Sequence, residues 1–270
     1  MRIHSQENIA FSKTRMTRNN TQIEKSLQKL GTGLKIAKGS DNASGLSISE
    51  TIRAQIRGIS QAQSNMQDGL SVLEASNEGL NNVNGLLQRA RELAVANANG
   101  TLTDSDREAG QKELDQILEA IDDTSTKLEF NTKKILGDRA PIILHVGANP
   151  GQRMSIDTID VSTVKLGIDG ASLETRDSSE KLITTIDNAI KTISGHLTKV
   201  GSQMEAIEHH LTNAMVFEAN LTKSLSLLED TDMAKEMMQF VNLDIRQKGD
   251  HLLVSSVNKN LNDMLSLFSR

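Results

Sequence analysis

The sequence predicts a mainly α protein: a long antiparallel helical rod with coiled-coil terminal helices and a small β-hairpin region. Three observations carry that expectation. Large apolar residues recur at every seventh position as Ile52, Ile59, Met66, Leu73, Leu80 and Leu87, with a mostly polar or small chain between them. Such a repeat places one thin stripe along a helix. The repeat returns later as Ile186, Ile193, Val200, Ile207, Ala214, Leu221 and Leu228, beside a second row of Ile190, Leu197, Met204, Leu211 and Leu225 that breaks at Glu218. Finally, aromatic residues make up 2% of the 270 residues, with no Trp, Tyr or Cys and only 2 Pro. Aromatic side chains supply much of the burial in a globular core, so aliphatic stripes take that part here.

The elements follow in order. Ile9, Met16, Ile23 and Leu30, each seven apart, predict an opening helix from about Gln6 to about Leu30. Gly31, Gly33 and Gly39 mark a turn, and Ser40 or Asp41 is the expected cap of the next helix. That second helix runs from about Ala43 to about Asn99, roughly 85 Å at about 1.5 Å per residue. Its second seam starts at Ile56 and Leu70 and fades at Gln63, Asn77 and Asn84. Ala62, Gly69, Ser76 and Ala90 are small enough for close helix approach. A stripe this thin needs neighbouring helices to stabilise it.

Gly100 is the expected stop, and Thr103 or Asp104 the expected cap of a third helix with Leu114, Ile121 and Leu128 on its seam. Residues 140–170 change period, with short β-rich runs on either side of GANPG, and predict the hairpin. The heptad resumes near Ser179, LEDTD interrupts it, and a last amphipathic helix carries Met233, Met237, Phe240, Val241, Ile245, Leu252, Leu253, Val257, Leu261, Leu265 and Phe268. The two terminal helices hold more apolar surface than one short hairpin can cover. Surface of that extent predicts assembly with other copies.

The remaining totals exclude several classes. The chain has 30 Lys plus Arg against 35 Asp plus Glu, a formal net charge of -5. Residues 1–38 are nevertheless basic, with Arg2, Lys13, Arg15, Arg18, Lys25, Lys29, Lys35 and Lys38 against Glu7 and Glu24. No zinc finger, recognition helix or stacking aromatic accompanies that bias, so nucleic acid is not an expected partner. Without Cys there is neither a disulfide framework nor a thiolate metal site. No apolar run approaches the roughly 20 residues of a membrane helix, and MRIHSQENIAFSK lacks the apolar core of a cleavable signal peptide.

No catalytic constellation stands out, and an enzyme is not expected. The pair His209-His210 is the first metal suspect, but neighbouring residues point about 100° apart on a helix and cannot easily share one ligand. Glu229, Asp230 and Asp232 suggest calcium only until the missing turn glycine of a calcium loop is noticed; a bend or helix cap fits them better. No cofactor and no metal are expected.

Several stretches together resemble bacterial flagellin, the subunit of the flagellar filament. They are KSLQKLGTGLKIAKGSDNASGLSIS, LQRARELAVANANGTLTDSDREAGQKELDQILEAID, LEFNTKKIL, LHVGANPGQRMSIDTIDVSTVKLGI, SLLEDTDMAKEM and the tail LNDMLSLFSR, in the family's order along nearly the whole chain. The resemblance implies a structural subunit that polymerises for swimming motility. It implies an inner-tube domain from residues 1–40 and 230–270, a rod domain from 41–229 with the hairpin near 140–170, and no variable outer domain.

The implied partners are other copies of the chain, the flagellar cap and hook–filament junction proteins, a cytoplasmic export chaperone, the flagellar export apparatus and, for the monomer, the vertebrate Toll-like receptor for flagellin. Export would follow the flagellar route, without a cleavable signal peptide, to the bacterial flagellum outside the cell. Arg89, Leu93 and Glu113 match the family's subunit-contact and receptor-contact pattern. Phe240, Ile245, Leu252, Val257, Leu261 and Phe268 fall in the segment that a chaperone covers. The chain departs from the family pattern at Ile3-His4-Ser5-Gln6, Leu30-Gly31-Thr32-Gly33, Asp41-Asn42-Ala43-Ser44-Gly45 and Glu229, where the family commonly has Arg, and in HLLVSSVNKN. The alternative reading is a minor flagellin or a flagellin-like hook–filament junction protein.

Overall fold

The computed structural model describes the backbone of residues 2–137 and 140–268, and the side chains of 10–137 and 140–259. The described residues are mainly α-helical, with two small antiparallel strand pairs. They divide into two compact units, Gln55–Ala219 and Met1–Ala54 with Asn220–Arg270. These boundaries fall inside two long helices.

The unit of Gln55–Ala219 holds most of α2 (Ala43–Asn97) and α5 (Arg176–Glu229), with α3 (Asp104–Lys127) and the short α4 (Thr163–Leu166). Its core is the sevenfold stripe. Met66, Leu73, Leu80 and Leu87 of α2 join Leu114 and Ile121 of α3 and Ile186, Ile193, Val200 and Ile207 of α5 in one buried cluster. The helices α2 and α5 run antiparallel, since Gln63 meets Glu218 at one end and Arg91 meets Asp187 at the other. The first contact explains an apparent defect in the sequence. Gln63 is the first of the polar residues at which the second seam of α2 fades, Glu218 breaks that of α5, and they bond each other: Gln63 Nε2 donates to Glu218 Oε2 at 2.7 Å. Two polar residues in apolar rows are tolerable when each satisfies the other.

The helix ends show which sequence signals acted. Thr103 caps α3 in a capping box, its hydroxyl accepting from the Asp106 N–H while the Asp106 carboxylate accepts from the Thr103 N–H. Bonds from the Thr103 hydroxyl and backbone hold the Asp106 pKa below its ordinary value. The cap of α2 is Asn42, whose side-chain oxygen accepts from the Gly45 N–H at 2.9 Å, not Ser40 or Asp41. The Asp41 carboxylate instead accepts from the Ala37 and Lys38 N–H groups in the preceding turn.

Gly100 is not left-handed; the end of α2 is closed from α3, where the buried Arg107 guanidinium donates to the carbonyls of Asn97 and Asn99. The first is an orphan carbonyl of the helix C-terminus; the second lies in the turn that follows it. Charged hydrogen bonds of this kind contribute roughly 1.5–3 kcal/mol. Arg107→Ala should therefore destabilise the unit by about 2 kcal/mol and speed amide hydrogen exchange in the last turn of α2. Unchanged exchange there would remove Arg107 from this role.

Between α3 and α5 the chain forms two hairpins. The strands β1 (Glu129–Phe130) and β2 (Lys133–Lys134) pair around Asn131 and Thr132, both at positive φ. The strands β3 (Ile142–His145) and β4 (Arg153–Ile156) pair in the register Ile142 with Ile156 and Leu144 with Met154. This second hairpin lies on α2, where Gly69 faces Leu144 so closely that an added Cβ would sit 2.1 Å from its methyl. The small residue at 69 thus admits a strand, not a second helix. The stretch before α5 is held by Gln111 of α3, which donates to the Ala171 carbonyl and accepts from the Leu173 N–H.

In the other unit, α1 (Arg2–Thr32) and α6 (Met233–Phe268) lie antiparallel. Ser26 donates to Glu236 at 2.7 Å, Gln247 donates to Asn20 at 2.6 Å, and Arg15 pairs with Asp250. An isolated bridge joins Leu34 to Asp230, and Asp232 caps α6 by accepting from Ala234 and Lys235. The burial here is inverted. Ser26, Ser49, Glu229, Glu236 and Asp250 are buried beside Ile36 and Leu243. Phe11, Leu27, Leu227 and much of the apolar content of α6 face outward. The sequence predicts more apolar surface on the terminal helices than one hairpin can cover, and Met233, Met237, Met238, Val241, Ile245, Leu252 and Leu253 are all exposed.

Candidate subunit-contact surfaces

The surface of α2 that faces α3 carries the first candidate. Arg89 Nε and Nη2 donate to Glu113 Oε1 at 2.9 and 2.7 Å, and Nη1 donates to Glu92 at 3.0 Å. The bond to Glu113, then that to Glu92, raise the Arg89 pKa above its ordinary value. The guanidinium is fixed across two helices and still open to solvent, a planar charge with its direction set. Two residues on, Arg91 turns to the opposite flank and donates to Asp187 of α5 at 2.7 Å.

Leu93 does not share the Arg89 surface equally. It is 8% exposed and belongs to the buried cluster. Arg89 and Glu113 are therefore together at the surface, with Leu93 packed beneath. The helical period could have signalled this: Leu93 falls seven residues after Leu86, which packs against the same cluster, and three after the buried Ala90.

The packing seam is spatially divided. Ile59, Met66, Leu73, Leu80, Leu87, Ile193, Val200 and Ile207 are buried in the Gln55–Ala219 unit. Ile52, in the other unit, is half-buried. Of the residues expected to lie under a chaperone, Phe240 and Val257 are half-buried and Ile245 and Leu252 exposed; the side chains of Leu261 and Phe268 lie outside the described residues.

The second candidate surface is the outward face of α6, described above. Composition alone could not place it, because a polar interface between α1 and α6 leaves apolar residues outside. A third apolar patch, Met215, Val216 and Phe217 on α5, is also exposed. Near it His210 and Phe217 border a small recess of about 260 Å³ with the hairpin turn at Ala148 and Asn149.

His209 and His210 are exposed, with His209 3.7 Å from Glu205. Burial, then Lys199, lower the pKa of His196. Among the described residues no three His, Asp or Glu side chains gather in a metal-holding group. No helix among them is long and apolar enough to cross a membrane.

Comparison with known proteins gives these surfaces a context. Residues 5–140 match the family model of the bacterial flagellin N-terminal helical region, and residues 183–268 that of the C-terminal helical region. A flagellin of Halalkalibacterium halodurans is 34% identical over 252 residues, covering 92% of this chain and 93% of the relative. A flagellin of Bacillus subtilis is 31% identical, covering 99% of each. The crystal structure of Bacillus cereus flagellin aligns with a TM-score of 0.52 at 31% identity, over 56% of this chain and 88% of that one. A hook-associated protein of Vibrio parahaemolyticus aligns with a TM-score of 0.58 over 70% of this chain and 99% of that one, but at 16% identity, which speaks for the fold alone. With both helical regions matched in order and relatives aligned over nearly their full length, the chain belongs to the bacterial flagellin family.

Proposed function

We infer that the chain polymerises into the bacterial flagellar filament and serves swimming motility. It is a structural filament subunit, and the observation that carries assembly is the outward apolar face of α6, left uncovered while Glu236, Leu243 and Asp250 turn inward. Exposed apolar surface of this extent marks an interface. In this reading residues 1–40 and 230–270 build the inner tube and 41–229 the rod, with no variable outer domain. The hook–filament junction alternative is not favoured, because the full-length relatives at 30% identity and above are flagellins. The test is electron microscopy of a strain whose only flagellin is this one. Absence of filaments despite export of the protein would reject the reading.

The finer roles are part of the same proposal. The chain acts as a structural protein and not as an enzyme. It leaves the cell by the flagellar export apparatus without a cleavable signal peptide and meets the cap and junction proteins at the growing filament. A cytoplasmic chaperone covers α6 before export, since the exposed apolar residues are an aggregation hazard. A chain ending at Asp230 should lose chaperone binding; unchanged affinity would overturn the assignment.

The fixed, solvent-open Arg89 guanidinium is a contact for a neighbouring copy and, in the monomer, for the vertebrate Toll-like receptor for flagellin. Glu113 orients it, and Leu93 supports the backbone from below. Arg89→Ala should shorten filaments and weaken receptor activation while leaving the monomer's thermal midpoint unchanged, because the ion pair is solvent-exposed. Microscopy, a receptor assay on monomer and a melting curve read the three effects separately. Normal filaments with wild-type signalling would remove Arg89 from both contacts.

A further inference from the structure

Among the described residues of α6 the methionines are exposed, and methionine exposure is uneven across the protein. Met233, Met237 and Met238 are 47%, 50% and 63% exposed, whereas Met66 in the helical core is 0% exposed. The three sit in the first turns of α6, just after the Asp232 cap. Met237 lies one helical turn from Met233, and Met238 about 100° further round, so the three thioethers span a broad arc beside Val241 and Ile245.

We propose that Met233, Met237 and Met238 form an oxidation site at which hydroperoxides switch the α6 face from assembly-competent to assembly-blocked. This rests on the filament reading above. A thioether sulfur lone pair attacks one oxygen of hydrogen peroxide, and an S–O bond forms as the O–O bond breaks. The departing hydroxide takes up the proton left on the transferred oxygen and leaves as water. Sulfur is oxidised by two electrons and peroxide is reduced by two. The product sulfoxide is polar where the thioether was apolar, and sulfoxide reductases reverse the change. A face that buries three such groups against another copy must desolvate three strong acceptors without supplying donors for them. The free subunit offers these sulfurs to solvent, and the assembled one withdraws them, so the site is open before polymerisation and closed after it.

The experiment treats purified full-length monomer with hydrogen peroxide, maps sulfoxides by peptide mass spectrometry and then measures polymerisation. Exposure predicts that the three positions oxidise at least about tenfold faster than Met66. Oxidised monomer should polymerise poorly, recover after treatment with the two methionine sulfoxide reductases, and show slowed oxidation at these positions when peroxide is added to preformed filaments. The variant M233L/M237L/M238L keeps the side-chain volumes and should remain assembly-competent after the same dose, which separates these sulfurs from the exposed Met215.

Oxidation at Met66 in step with the three sites would overturn the proposal. So would normal polymerisation of triply oxidised protein, or equal peroxide sensitivity in the leucine variant. If that variant does not assemble even untreated, the wild type decides: oxidised protein that stays unable to polymerise after the reductases have restored every thioether overturns the proposal as well. Failure of untreated wild type to polymerise would count against the filament reading instead, and the sulfoxide map would still decide the order of reactivity.

Discussion

Replacing Ile207 by Asp is expected to unfold much of the Gln55–Ala219 unit rather than to remove a contact from its surface. Ile207 is 0% exposed and lies in the cluster that unites α2, α3 and α5. An aspartate there must be desolvated without a partner or protonated, and the residues around it, Met204 and Leu211 among them, offer no hydrogen bond. The cost should reach at least about 4 kcal/mol, within the range of buried unpaired charge. Ile207→Leu keeps the volume and should cost under about 1.5 kcal/mol.

The control is two residues away. His209 is exposed on the other side of α5, 3.7 Å from Glu205, so His209→Asp should change stability by no more than about 0.5 kcal/mol. Thermal unfolding of the three variants by circular dichroism separates them. An Ile207→Asp variant that melts with the wild type while His209→Asp collapses would put α5 in a different register. Swimming should fail only in the Ile207→Asp strain.

The register is legible in the sequence because it depends on one variable. A sevenfold row of aliphatic residues can bury itself in only one helical phase, and Met66, Leu80 and Ile193 are fully buried. The Thr103–Asp106 box is legible for a similar reason: both partners lie within four residues. Features that depend on a distant partner are not. The carbonyls at the end of α2 are satisfied by Arg107, and no local pattern distinguishes that arginine from a solvated one.

The hairpin at Asn131 and Thr132 escapes a periodicity argument because the strands on either side are two residues long. Asn tolerates the left-handed conformation, and that is the available signal. Gln63 and Glu218 each look like a break in a row; only the antiparallel pairing of α2 with α5 makes them one contact. At the candidate contact surface, the Arg89–Glu113 pair needs the α2–α3 turn to bring residues 24 apart together. The family pattern groups Leu93 with them, but its place in the hydrophobic period puts it inside. The terminal unit is the least legible part. Its sequence has apolar residues enough for a core, yet the fold turns them outward and seals the inside with ion pairs and hydrogen bonds.

That inversion makes the Arg53–Glu229 pair the place where a single change should disturb the terminal unit most. Glu229 is 2% exposed, and one of its carboxylate oxygens accepts from the Arg53 guanidinium. The other oxygen is buried without a hydrogen-bond partner among the described residues. Arg53 also donates to Glu50 at 3.3 Å and remains partly open to solvent. It joins the start of α2 to the end of α5, beside the Leu34–Asp230 bridge.

Arg53→Met keeps the aliphatic stem and strands the carboxylate. Breaking a buried pair costs about 3–5 kcal/mol; solvent around the arginine lowers the expectation to roughly 2–3 kcal/mol. Adding Glu229→Leu to it removes the stranded charge, and the double variant should be more stable than Arg53→Met alone by at least about 1 kcal/mol. The same pair of changes should raise and then lower amide exchange in residues 222–230, which end α5, while exchange in the Gln55–Ala219 core stays at wild-type levels. Equal melting of Arg53→Met and wild type would mean that the glutamate finds another donor. A double variant less stable than Arg53→Met would mean that the carboxylate is held by something other than the arginine, and that the terminal unit is closed by the backbone bridge at Leu34 and Asp230 instead.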